Sequence, residues 1–168
     1  MARLNSAPDI MKEDHPKTKE KREKNWKLLY LRSQKLARAK QLGIDYPNPS
    51  NKHEIEDNEP LNLLFICSRN QWRSPTAEAV WRNHPDLRAR SAGTSPNARR
   101  RVSADDIRWA HSIFVMENKH RSRLQAEFGR VVANKPVHVL DIPDEYQYMD
   151  PELVDLLKAS VGSILGLP

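Results

Sequence analysis

From Leu61 onward, short apolar runs alternate with stretches whose apolar positions recur at helical spacing. The runs predict strands at Leu61–Ile66, Leu87–Ala92, Ser112–Met116 and Pro136–Ile142. The periodic stretches predict helices at Ser74–Asn83, stopped near Pro85, at Ser103–His111, at Glu117–Phe128, ended by Gly129, and at Pro151–Leu165. Ser103 and Asp106 have the spacing of a capping box, with Asp in place of the usual Glu or Gln. Asp150 reads as an N-cap, with Pro151 in the first turn behind it. Strands separated by helices predict an α/β fold, a parallel sheet with helices on both faces, in three layers. There are no internal repeats.

The first sixty residues have a different pattern. Residues 1–16 are polar, without periodic apolar positions, and are expected to be disordered. Lys17–Lys40 holds ten Lys or Arg and two Glu. Within it Trp26, Leu29, Leu36 and Ala37, with Leu28 and Leu31 beside them, form a rough helical stripe, and Gly43 is a C-terminal stop. A basic helix over about 17–42 follows. It is either a solvated helix packing a few leucines on the domain or an arm for a partner, RNA or a membrane surface. Residues 44–60 are rich in Pro, Asn and acids and read as a linker. The expected organisation is thus an extension over 1–60 and a folded domain over 61–168.

Composition narrows the partners. The net charge of +6 favours anionic ones, whether phosphorylated substrates, nucleic acid or acidic proteins. No apolar run reaches the length of a membrane span. The amino terminus has no signal-peptide core. A single cysteine excludes an internal disulfide framework and a Cys-rich metal site, and points to a reducing cytoplasm.

That cysteine ends the first strand. Cys67 is followed by a short loop, then Arg73, then Ser74-Pro75 opening a helix. In an α/β unit such a loop lies at the carboxyl end of a strand, where ligands bind, and the helix amino terminus attracts anions. The loop can wrap its N–H groups into a nest for a tetrahedral oxyanion, and Arg73 adds a planar fork for two phosphate oxygens. All three features stabilise negative charge on the Cys67 sulfur. Taken alone, a cysteine after an apolar strand is more often a buried small hydrophobe.

The full string weighs against that reading. Cys67-Ser68-Arg69-Asn70-Gln71-Trp72-Arg73-Ser74-Pro75, continuing to Ala77-Glu78, resembles the signature C-x-x-N-x-x-R-S-P of low-molecular-weight protein tyrosine phosphatases. The fixed Cys, Asn, Arg, Ser and Pro all match. The resemblance continues through Ser91-Ala92-Gly93-Thr94, Ala104–His111 and Phe114-Val115-Met116-Glu117 to an acidic loop near Asp144, covering about 61–168. It implies the strand order 2-1-3-4. It implies Cys67 as nucleophile through a cysteinyl-phosphate, with the phosphate held by the segment Ser68, Arg69, Asn70, Gln71, Trp72, Arg73 and Ser74. In that carry-over Ser74 hydrogen-bonds the thiolate and Asn70 braces the loop. By themselves Ser74 is an N-cap and Asn70 a turn residue.

The general acid is open among Asp144, Asp141 and Asp150. Counting back from the helix cap as in the family reaches Asp144, followed by Tyr146 and Tyr148. Asp141 comes next, and Asp150 suits a cap better. Trp72 stands where some members carry a second cysteine, and either walls the pocket or packs on the helix. Arg69 replaces the family's usual glycine, and either crowds the loop or reaches a second acidic group on the substrate. The interval between Ser91-Ala92-Gly93-Thr94 and the next helix is shorter than in the family, so a helix flanking the site is expected to be missing. Arg99-Arg100-Arg101 in that interval is a solvated run or lines the mouth. Trp109 reads as core. His111, His120 and His138 lack metal-like spacing and read as structural or exposed.

The resemblance therefore implies a cysteine-dependent phosphomonoesterase, acting on phosphotyrosine, with no metal and no cofactor. Two other readings remain at this level: a phosphatase of RNA or nucleotide phosphate, and a phosphate- or nucleic-acid-binding module without turnover. Arsenate reductases share the fold and loop. Their chemistry needs further thiols, which this chain lacks.

Overall fold

Four short strands line up in parallel, the two central ones almost wholly buried and the two at the edges only partly. A computed structural model of the protein describes residues 26–43 and 59–167. The strands are β1 (Leu61–Cys67), β2 (Leu87–Gly93), β3 (Ser112–Val115) and β4 (Val137–Val139). Their order in the sheet is β2-β1-β3-β4, all parallel, as the resemblance implies. The helices are α1 (Trp26–Gln41), α2 (Arg73–Trp81), α3 (Ala104–Trp109), α4 (Asn118–Val132) and α5 (Pro151–Leu165). No described helix is long and apolar enough to cross a membrane.

The period of two along β1 divides the core. Leu61, Leu63, Phe65 and Cys67 face one layer, where they pack with Ala77 and Trp81 of α2, Leu153, Leu157 and Val161 of α5, and Tyr30 of α1. Leu64 and Ile66 face the other, with Ile107 of α3 and Leu124 and Val132 of α4. The sheet is thus the middle of three layers.

Boundaries follow local chemistry. The Ser103–Asp106 capping box forms, with both reciprocal hydrogen bonds present. Asp150 caps α5 by accepting from the Glu152 amide. Two expectations need correcting. Helix α4 does not end at Gly129 but continues to Val132, across a non-helical Phe128 (φ −126°, ψ 29°). Gly129 lies at a negative φ inside the helix, and burial of Val132 holds the extra turn in place. Strand β4 is only Val137–Val139, because Asp141 turns into the left-handed region at φ 53°.

Helix α1 covers the described part of the predicted basic helix. Its polar face is solvated, but Tyr30 is buried against the sheet. The Tyr30 hydroxyl lies 2.6 Å from Ser112 Oγ and 2.7 Å from His138 Nε2. Arg38 donates to the Asn134 side chain beyond α4. The readings for residues 1–16, for the start of the basic helix and for most of the linker fall outside the described residues.

Candidate active site

The loop between β1 and α2 closes on itself because Asn70 takes a left-handed conformation, φ 53°, which Asn tolerates better than most residues. That turn directs the Asn70 amide at Cys67 Sγ, 3.2 Å away. Asn70 Nδ2 then donates to Ser74 Oγ at 3.0 Å and to Ser91 Oγ at 2.9 Å. Ser74 Oγ lies 3.0 Å from Sγ, and Ser91 in turn donates to Glu78 Oε2 at 2.5 Å. Asn70 and Ser74 are buried and stand behind the thiol rather than in the cavity. They hold the loop and the sulfur.

The cavity, about 430 Å³, opens in front of Cys67. Ser68, Arg69, Gln71, Trp72 and Arg73 line it from the loop, and Ser95, Arg123 and Asp144 close it from other elements. The backbone amides of Ser68, Arg69, Gln71 and Trp72 take no part in the backbone hydrogen bonds of the loops. Trp72 occupies the N-cap of α2 without a side-chain cap. The helix amino terminus therefore keeps its free N–H groups, which favour an anion. Trp72, 40% exposed, walls the cavity.

Arg73 is 1% exposed, so its charge must be matched from within. Its Nη1 donates to Glu117 Oε1 at 2.6 Å and to the Ile142 carbonyl at 2.7 Å. Burial alone would raise the Glu117 carboxyl, but the Arg73 and Lys119 pairings outweigh it and hold it below its ordinary value. Arg73 Nε is buried without a hydrogen bond. Asp144 Oδ1 stands 3.1 Å from it, close enough for charge attraction but off the N–H direction. An oxyanion in the cavity would satisfy that donor.

The segment carrying Asp144 is tied at both ends to α2. Arg73 holds the Ile142 carbonyl, and Thr76 Oγ1 accepts from the Met149 amide at 3.0 Å. Asp144 therefore reaches the cavity. Asp141 is exposed and absent from its lining, and Asp150 is the α5 cap.

Sequence reasoning missed two residues. His120, read as structural or exposed, is buried beside the loop. Its Nδ1 accepts from the Glu117 amide at 3.1 Å, so Nε2 carries the proton and donates to Ser68 Oγ, 2.8 Å away. Burial, followed by the nearby Arg73, lowers its pKa to about 4, so the ring is neutral near pH 7. The only sequence signal was its position three residues after Glu117. Gly93 is the second. It sits opposite Cys67 in the β1–β2 register, and a Cβ there would stand 2.6 Å from the Ser68 carbonyl oxygen and 3.0 Å from the Asn70 amide. Only glycine lets β2 approach the loop this closely.

No family model and no curated protein matches the sequence. Solved structures match in fold. The tyrosine phosphatase Wzb from Escherichia coli K30, in complex with phosphate, aligns at 18% identity over 62% of this chain and 96% of that one, with a TM-score of 0.51. SP-PTP, a low molecular weight protein tyrosine phosphatase from Streptococcus pyogenes, aligns at 17% identity over 63% and 91%, with a TM-score of 0.52. The YwlE arginine phosphatase from Geobacillus stearothermophilus aligns at 20% identity over 64% and 89%, with a TM-score of 0.48. The chain shares the fold of the two tyrosine phosphatases.

Proposed function

We propose that the protein is a cysteine-dependent phosphomonoesterase of the low-molecular-weight protein tyrosine phosphatase type, acting on phosphotyrosine in a reducing cytoplasm. The observation that carries this reading is the convergence on one cavity of Cys67, the loop that follows it, Arg73, whose Nε makes no hydrogen bond, and Asp144.

The phosphoryl group sits in the nest, its oxygens on the loop amides and on the Arg73 edge not taken by Glu117. Cys67 Sγ attacks phosphorus. An S–P bond forms as the P–O bond to the leaving group breaks, and Asp144 delivers its proton to the departing oxygen. Water then attacks the cysteinyl-phosphate, Asp144 takes its proton, and the S–P bond breaks to release inorganic phosphate and the thiolate. The transition state spreads charge over three equatorial oxygens, which preorganised donors stabilise more than they stabilise the ground state. The Ser74 hydroxyl and the Asn70 amide hold the sulfur as the charge returns to it. Glu117 keeps Arg73 extended and matches its charge while the site is empty.

The test is the Cys67→Ser variant assayed on an aryl phosphate. Turnover is expected to vanish while phosphate or vanadate binding persists, and EDTA is expected to leave the parent enzyme unchanged. Substantial turnover by Cys67→Ser, or loss of parent activity in EDTA, overturns the mechanism.

A further inference from the structure

A second cavity of about 490 Å³ adjoins the first. It is lined by Arg69, Gln71, Ser95, Asn97 and Arg99, and Arg69, Gln71 and Ser95 border both. The short interval after β2 builds it. Thr94 donates to the Cys67 carbonyl at 3.0 Å, Ser95 to the Ser68 carbonyl at 2.9 Å, and Arg99 to the Arg69 carbonyl at 2.9 Å. The segment is zipped along the outer edge of the phosphate loop, which sets Arg99 beside Arg69.

The three consecutive arginines have different circumstances. Arg100 pairs with Asp106 and also donates to the Ser91 carbonyl at 2.6 Å. Arg101 pairs with Glu127 at 2.6 Å. Arg99 and Arg69 have no carboxylate partner among the described residues, and no acid lines their cavity. Arg123, on the catalytic side, donates to Thr94 Oγ1 at 3.4 Å and has no carboxylate partner among the described residues. The backbone bond brings the two residues together, and two exposed arginines bordering one cavity favour an anion there. A guanidinium fork matches a carboxylate in two parallel hydrogen bonds.

We infer that this second cavity is a substrate subsite for a carboxylate side chain flanking the phosphorylated residue, making the preferred substrate an acidic phosphotyrosyl peptide. The inference rests on the phosphatase reading above. The exposed Trp72 face in the first cavity suits an aromatic ring. An extended peptide advances roughly 3.3 Å per residue, so an acid within about three residues of the phosphotyrosine reaches the adjoining cavity.

The experiment uses two phosphotyrosyl peptides that differ only by Glu→Gln at positions within three residues of the phosphotyrosine. Affinity is read on full-length Cys67→Ser protein, and phosphate release on the parent. The acidic peptide is expected to bind about fivefold more tightly at low salt, a size typical of partly exposed charge pairs. High salt should shrink that ratio. Arg99→Gln should bring it close to one, and Arg69→Gln with Arg99→Gln should abolish it. Equal affinity for the two peptides overturns the subsite, even where the parent hydrolyses both. A ratio that persists in a parent unable to release phosphate supports the subsite and defeats the phosphatase reading instead. Tighter competition by a nucleoside diphosphate than by the acidic peptide overturns the peptide assignment.

Discussion

His120 Nε2 and Ser68 Oγ meet at 2.8 Å across 52 residues of sequence, with the imidazole proton pointing at the hydroxyl oxygen. The hydroxyl hydrogen is thereby left to point elsewhere, and Ser68 borders the cavity. A neutral His120 thus leaves the Ser68 hydroxyl free to donate to an oxyanion in the cavity.

His120→Ala is therefore expected to lower kcat about tenfold with a smaller change in KM, since one oriented hydroxyl is at stake. His120→Asn, which keeps a donor, should recover part of the loss. Ser68→Ala should cost a similar factor, and the double variant little more than either. Additive losses in that cycle would separate the two residues.

The same histidine sets a pH dependence of stability. An unfolded histidine protonates near 6.5, whereas His120 in the fold does so only at about 4, held down by burial and then by Arg73, with Lys119 and Arg123 adding to Arg73 and Glu117 opposing. Between these values the unfolded chain binds the extra proton. Stability from this group is thus complete above about pH 6.5, falls with pH, and levels off below about 4. The loss is up to roughly 3 kcal/mol. Urea unfolding at pH 7 and pH 5 checks it: the difference should be smaller in His120→Asn, and an equal difference in both proteins refutes the assignment.

Gly93→Ala should be disproportionately harmful for one methyl group. The added carbon meets the Ser68 carbonyl at 2.6 Å and Ala98 Cβ at 2.6 Å, so either the loop or the 94–99 segment must move. A stability loss of roughly 1–3 kcal/mol is expected from overpacking, with kcat reduced beyond what unfolding accounts for. A Gly93→Ala protein with parental kcat and melting temperature contradicts the close approach.

Asp144→Asn should slow esters with poor leaving groups by roughly 10²–10⁴, the usual worth of general acid catalysis. Esters with good leaving groups should be affected far less. Asp141→Asn should show neither effect, because Asp141 is exposed outside the cavity lining. Rates on a series of substituted aryl phosphates decide the matter, and a steepened leaving-group dependence in Asp141→Asn alone reverses the assignment.

Tyr30→Phe should destabilise the protein by roughly 1–2 kcal/mol, since Ser112 Oγ and His138 Nε2 lose a shared buried partner. Tyr30→Ala removes the ring from the core as well and should cost roughly 3–5 kcal/mol. Both are read by denaturant unfolding. Parental stability in Tyr30→Ala refutes a contribution of this ring to the core.

The elements from Leu61 onward were legible because their cause is local. The apolar run of β1, a Ser103–Asp106 box and an Asp150-Pro151 start each depend on residues a few positions apart. The loop from Cys67 to Arg73 was legible for the same reason: strand end, left-handed Asn70 and helix start lie within one short stretch. Other features depend on where distant elements pack. That Glu117 holds Arg73, that His120 orients Ser68, that Gly93 must lack a side chain, and that Tyr30 enters the core are decided across separations no local pattern encodes. In sequence only the count back from the Asp150 cap, taken from the resemblance, put Asp144 ahead of Asp141. A left-handed turn at Asp141 and the ties of Ile142 and Met149 to α2 bring Asp144, and not Asp141, to the cavity. Local chemistry alone determined the strand–loop–helix carrying the thiol, while only tertiary packing, which brings together side chains far apart in sequence, decided what surrounds it.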